Sequence, residues 1–115
     1  MIHLMNQPAR TASADLEDWG PVKEPIGDLI AKLRGKAGTR EGEPDYGTWE
    51  CSPGRWRRQI KEAEFTHILA GRCTFTADDG QRLEITAGDT LYFPAMSMGI
   101  WEIHETVRKV YILLK

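Results

Sequence analysis

The chain has 115 residues, 41% of them hydrophobic and 28% charged, with a formal net charge of -2. That length makes one domain, able to hide roughly two-thirds of its unfolded surface and to hold a core without disulfide or metal support. The near-neutral balance, with Lys and Arg interspersed among Asp and Glu, excludes nucleic acid and anionic membrane as partners recognised by charge.

In chain order, the opening MIHLMNQPARTASADLEDWG has no continuous apolar core and carries Pro8, so it does not read as a secretory signal. Runs such as VYILL are far too short to span a bilayer. A soluble cytoplasmic protein is the expectation. Residues 1–45 are rich in Pro, Gly, Ala and charge and read as an N-terminal arm and loop, wrapping the domain or a neighbouring subunit. Within them IGDLIAKL places Ile26, Leu29, Ile30 and Leu33 at helical spacing. Gly27 weakens this pattern and Gly35 ends it, which predicts a short helix or turn. RGKAGTREGEPDYG then reads as an exposed loop.

From residue 46 the texture becomes all-β. YGTWECS is a short strand ended by Ser52-Pro53-Gly54, RWRRQI continues extended, and EFTHILAG stops at Gly71. RCTFTADDGQRLEIT is a hairpin with Asp79-Gly80 at its tip. AGDTLYFPA is a Gly-Asp turn, a strand and a Pro exit, and GIWEIHE and VRKVYILLK are the last two strands. Many short strands without a βαβ rhythm predict a barrel or sandwich. Cys51 and Cys73 have neither CxxC nor zinc-knuckle spacing and read as reduced thiols buried in strands. Asp78-Asp79-Gly80 reads as a turn, Gly88-Asp89 as a tight turn with Asp89 bonding local backbone, and RWRR as a solvated strand edge.

The stretch EFTHILAGRCTFTADDGQRLEITAGDTLYFPA resembles the core of the cupin superfamily. Glu64, six intervening residues and Gly71 fit the end of the first cupin motif, and Gly88, five intervening residues and Pro94 the start of the second. The flanks GTWECSPGRW and GIWEIHETVRKVY look like the small single-domain subfamily related to (S)-ureidoglycine aminohydrolase and to the cupin of ethanolamine-utilisation proteins. The resemblance, over roughly residues 46–114, implies an all-β double-stranded β-helix, the cupin jelly-roll barrel, over residues 46–115. An irregular N-terminal arm and at most one short helix would complete it. It also implies a homodimer, since short cupins pair through their sheets or exchange N-terminal strands.

Metal-binding cupins resemble one another in two histidines and a glutamate from the first motif and a histidine from the second. Here Glu64 fills the glutamate position. The two histidine positions fall on Arg57 and Gln59, or on Arg58 and Ile60 with an offset of one, and the second-motif histidine falls on Gly99, with Met96 at the preceding family glycine. Three of four ligands are therefore replaced, and neither a metal nor another cofactor is expected at the usual site. Strand alternation turns His67 away from Glu64 and His104 away from the face of residue 99, and His3 lies in the arm. The same alternation predicts that Glu62, Thr66 and Ile68 share the inward face of Glu64, and Trp101 and Ile103 that of residue 99. Lys109 and Tyr111 would share one face, with Val110, Ile112 and Leu114 on the other.

The expected pocket is built from Glu64 as the catalytic candidate, with Arg57, Gln59, Trp101, Tyr92, Lys109 and Tyr111 as ligand-binding candidates: a few polar groups on an aromatic wall. Beside Arg57 or Lys109, Glu64 would stay ionised and could serve as a base. Without a cation, burial would make it an acid. Trp49, Trp56 and Trp101 also suit core filling. The function expected is a metal-independent barrel binding a small polar metabolite, with possible enzymatic activity. The alternatives are a metal-dependent enzyme resembling ureidoglycine aminohydrolase and a non-catalytic dimeric accessory cupin.

Overall fold

Strands build almost every element of this protein, and the computed structural model describes residues 2–38 and 44–114. Among these, a 3-10 turn at Ser13–Asp15 is followed by nine strands. They are β1 (Glu17–Pro21), β2 (Pro25–Ile26), β3 (Lys32–Ala37), β4 (Tyr46–Cys51), β5 (Gly54–Ile60), β6 (Ala63–Ala77), β7 (Arg82–Thr86), β8 (Thr90–Phe93) and β9 (Ser97–Leu114).

Two long strands organise the barrel. The first half of β9 lies between β5 and the second half of β6, with Trp101 opposite Trp56 and Phe75. Its second half lies between β4 and the first half of β6, with Lys109 opposite Trp49 and Ile68. One layer thus runs β7-β6-β9-β5-β2, and the other β8-β6-β9-β4-β3-β1. All pairings are antiparallel, and β6 and β9 pass from one layer to the other at a corner. Register shifts between Ile68 and Cys73 make that corner. Gly71 sits there at φ +92°, where a Cβ would stand 2.2 Å from the Thr106 carbonyl oxygen. Only glycine lets the strands approach so closely. The break expected at Gly71 is therefore a bulge in a continuous strand, and the two last strands expected are halves of β9.

The segment Ile26–Leu33 is not helical. Ile26 closes β2, Gly27 turns at φ +88°, Leu29 and Ile30 are exposed and Leu33 lies in β3. Leu33 packs against the barrel core, so the helical spacing was a coincidence of one strand end and the next strand's start. Arg34–Ala37 of the expected loop also belong to β3, and residues 39–43 lie outside the described residues. RWRR lies in β5, which has neighbours on both sides, rather than on an edge.

The remaining turns match their chemistry. The hairpin tip carries Gly80 at φ +96°, and the Thr86 amide donates to Asp89 Oδ2 at 2.8 Å beside Gly88. Cys51 and Cys73 are both buried free thiols. No helix among the described residues is long and apolar enough to cross a membrane.

Candidate functional site

The barrel interior has an aromatic end and a charged end. At the aromatic end Phe75 meets Phe93 edge-on at 5.3 Å and Trp101 at 4.9 Å between ring centroids. Gly99 lies beneath this cluster, where a Cβ would come within 2.7 Å of the Phe75 ring and 2.4 Å of the Thr76 carbonyl oxygen. Phe75 thus fills the space that a side chain at position 99 would need.

The charged end is built by β5, β6 and β9. Glu64 is 1% exposed and accepts from Lys109 Nζ at 2.6 Å and from Arg58 Nη2 at 3.3 Å. Lys109 is also 1% exposed; its ammonium stands 4.3 Å from the Trp49 ring centroid and 5.7 Å from that of Trp101. Burial pushes the Lys109 pKa below its ordinary value, the Glu64 carboxylate opposes that, and the Arg58 charge adds to it. Burial also raises the Tyr111 phenol, with Asp45 and Glu64 reinforcing the shift, and pushes the Cys51 and Cys73 thiols up to about 12. Trp101 Nε1 is buried with no hydrogen-bond partner among the described residues. A cavity of about 260 Å³ opens onto the ion pair, lined by Trp19, Trp49, Arg58, Glu64, Lys109, Tyr111 and Leu113.

Of the expected site residues, Glu64, Lys109 and Tyr111 come together here, with Trp101 behind Lys109. Thr66, Ile68 and Ile103 point inward as alternation requires. Arg57, Gln59 and Tyr92 do not join them. Arg57 makes a two-pronged bond to Asp78 at 2.9 and 2.6 Å, and Gln59 Nε2 donates to Glu24 at 3.2 Å, both on the outer face. Tyr92 is 57% exposed, opposite Phe65 on the outside of β8. The first two misplacements share a cause. Both rest on counting motif positions back from Glu64, and that count is one residue off; strand parity from Glu64 falls on Ile60 and Arg58, although the bend at Lys61 and Glu62 leaves Glu62 itself exposed. The one-residue offset applies: Arg58 and Ile60 face inward, and Arg58 lies opposite Gly99. Sequence reasoning held Arg58 only as that alternative, gave Trp49 to the core, and missed Trp19. The Asp-Trp-Gly run at residues 18–20, a turn-forming frame around a large aromatic, was the available signal.

The family model for the EutQ-like cupin domain matches residues 38–111. The chain belongs to the EutQ-like cupin family. Solved structures agree on the fold of this cupin. The EutQ protein of Clostridium difficile is 14% identical with a TM-score of 0.64, covering 72% of this chain and 68% of its own. A DUF861 family protein of Thermotoga maritima is 31% identical with a TM-score of 0.57, covering 58% of this chain and 76% of its own. A DUF861 family protein of unknown function from Pseudomonas syringae is 20% identical with a TM-score of 0.75, and this chain spans 44% of its length while 86% of this chain is covered. No curated protein matches the chain.

The divalent metal of metal-binding cupins does not fit the residues of this cupin. The four ligand positions hold Arg58, Ile60, Glu64 and Gly99. A guanidinium stays protonated, Ile60 is hydrocarbon, Gly99 has no side chain, and the Glu64 carboxylate is already bridged by two cations. The ammonium of Lys109 is the positive charge that this carboxylate faces. The nearby histidines serve elsewhere: His67 Nδ1 bonds Thr90 Oγ1 at 2.8 Å, and His104 Nε2 bonds Thr74 Oγ1 at 2.9 Å. No cluster of three or more His, Cys, Asp or Glu stands together among the described residues.

Proposed function

We propose that this cupin is a metal-independent barrel that binds a small anionic metabolite, its carboxylate or equivalent group held by Arg58. The observation that carries this reading is the charge count at the cavity. Two cations, Lys109 and Arg58, face one carboxylate, Glu64, and the shorter bond goes to Lys109. Arg58 reaches Glu64 through a single 3.3 Å contact, which leaves most of its five-donor fork for a ligand. A guanidinium at the mouth of a partly enclosed aromatic cavity favours planar, two-oxygen anions. Lys109, held below its ordinary pKa, is the group best placed to exchange a proton with a bound molecule, and Glu64 is its partner. Two unpaired buried thiols suit a reducing, cytoplasmic setting.

A thermal-shift screen of small carboxylates against the full chain tests this. At least one is expected to raise the melting temperature, and Arg58→Gln is expected to remove the shift. No response to any carboxylate would sink the reading. So would stoichiometric manganese, zinc or iron in protein purified without an affinity tag.

A homodimer is favoured by a separate observation. Phe65, Tyr92 and Leu114 are 48%, 57% and 47% exposed on the outer side of the adjacent strands β8, β6 and β9. A second copy is the partner proposed for this apolar strip. Light scattering on Phe65→Lys is expected to report a monomer where wild type is a dimer; a wild-type monomer would refute it.

A further inference from the structure

The inner cavity does not end at the ion pair. An outer groove of about 540 Å³ adjoins it, lined by Leu33, Trp56 and the cationic Lys23, Arg57 and Lys61 among others. Two residues line both spaces, Arg58 and Trp19. Arg58 has a role in the reading above. Trp19 has none, yet its placement is unusually constrained.

Trp19 is the extra residue of a β-bulge. Asp18 pairs with Arg34 and Gly20 with Leu33, and Trp19 between them has no cross-strand partner. Gly20 takes φ +82°, and its amide donates to Asp18 Oδ1 at 2.8 Å, which closes the bulge. The indole Nε1 donates to Glu17 Oε2 at 3.3 Å. Across the next strand, Gly35 lacks the side chain that would obstruct the ring: a Cβ there would lie 2.2 to 2.6 Å from three atoms of the six-membered ring. Gly35 is buried and pairs with Trp49, whose ring lines the cavity. The ring is thus laid flat on a glycine of β3 beside the charged end of the barrel. Bulges commonly re-aim a side chain beside a site. Here the bulge, the Asp18 turn and Gly35 are three separate features that serve one ring. All three lie before residue 38, outside the span matched by the family model.

We propose that Trp19 joins the inner cavity and the outer groove into one site that selects planar carboxylates. The carboxylate meets Arg58 and the flat body of the ligand lies along the indole. This rests on the reading of Arg58 as the anion anchor. An aromatic acid gains from Trp19 both buried area and ring-to-ring geometry, whereas a saturated acid of the same size gains area alone.

Isothermal titration of the full chain with benzoate, cyclohexanecarboxylate and acetate separates the two claims. Benzoate is expected to bind about fivefold tighter than cyclohexanecarboxylate, the size of an aromatic pair's advantage. Trp19→Ala is expected to abolish that preference, while Trp19→Phe keeps most of it. Gly35→Ala, which displaces the ring without altering it, is expected to act like Trp19→Ala. Should Trp19→Ala melt below the assay temperature, Trp19→Leu retains an apolar cover and is expected to lose the preference equally. Equal binding of all three acids by wild type would overturn the role of Trp19 and leave the Arg58 reading standing. A preference that survives both Trp19→Ala and Gly35→Ala would do the same. No binding of any of the three would overturn both.

Discussion

Two adjacent residues of β9, Arg108 and Lys109, point to opposite faces, and each is a buried cation paired with a buried glutamate. The two arrangements differ in how many donors are spoken for. On the outer face Arg108 donates through Nε and Nη2 to Glu50, through Nη1 to the Pro8 carbonyl at 3.1 Å and to the Thr11 carbonyl, and through Nη2 to Ser13 Oγ at 3.3 Å. Ser13 Oγ in turn donates to Glu50 at 3.0 Å. Every prong of the fork is used, and the result is a latch that holds residues 8–13 across the sheet. On the inner face Lys109 and Arg58 share one carboxylate beside a cavity, and Arg58 has donors to spare. Like charges in like burial serve structure where the hydrogen bonds are complete and suit binding where they are not.

The contrast can be broken most severely from the inside. Glu64→Gln strips the buried Lys109 of the carboxylate that offsets its burial, and is expected to cost about 3–5 kcal/mol in a denaturant melt. The double variant Glu64→Leu with Lys109→Met, which removes both charges together, is expected to regain most of that loss; a double variant as unstable as the single would show that the pair itself carries the stability. Next in size, Glu50→Ala strips the latch of its acceptor and is expected to cost about 3 kcal/mol. It should also speed proteolysis near residues 8–13, a readout that Glu64→Gln is not expected to move.

Alkali sharpens the comparison with a smaller effect for each thiol and pH unit. The buried thiols, raised to about 12, bind protons more tightly folded than unfolded. Their contribution is therefore complete below pH 9 and falls as pH climbs from 9 towards 12, by about 1.4 kcal/mol per thiol per pH unit. Melts of wild type and Cys73→Ala across that range isolate this slope from Lys109, whose lowered pKa acts in the opposite sense. Smallest of all should be the stability effect of Arg58→Gln, under about 1 kcal/mol, because its side chain is 20% exposed and its bond to Glu64 is long. Ligand binding would carry the visible loss.

The all-β barrel, the hairpin tip and the inward faces of β6 and β9 were legible because alternation holds within an unbroken strand. Legibility failed where a strand stopped. Arg58 was passed over for Arg57 because the motif count back from Glu64 was preferred to strand parity, which could not be carried with assurance across the bend at Lys61 and Glu62. The first 45 residues misled for a related reason: three short strands joined by glycine turns are too brief to show a period, and the Ile26–Leu33 spacing imitated a helix. Trp19 was hidden because its orientation depends on the match between a bulge in β1 and a missing side chain in β3, a relation between distant positions that no local pattern carries. The replacement of metal ligands, by contrast, was plain from residue type, since neither register supplies a histidine.

The crossing at Gly71 also bears on the order in which the barrel can assemble. Because β6 and β9 belong to both layers, Ala63 must meet Leu114 and Ile60 must meet Ser97 before either layer is complete. The last of the nine strands to leave a ribosome is thus the central strand of each sheet. Until it arrives, β4 and β5 lack a shared neighbour, and Trp49, Phe75 and Phe93 lack the Trp101 ring they pack against. Contacts so distant along the chain make folding slow relative to a helical domain of this size.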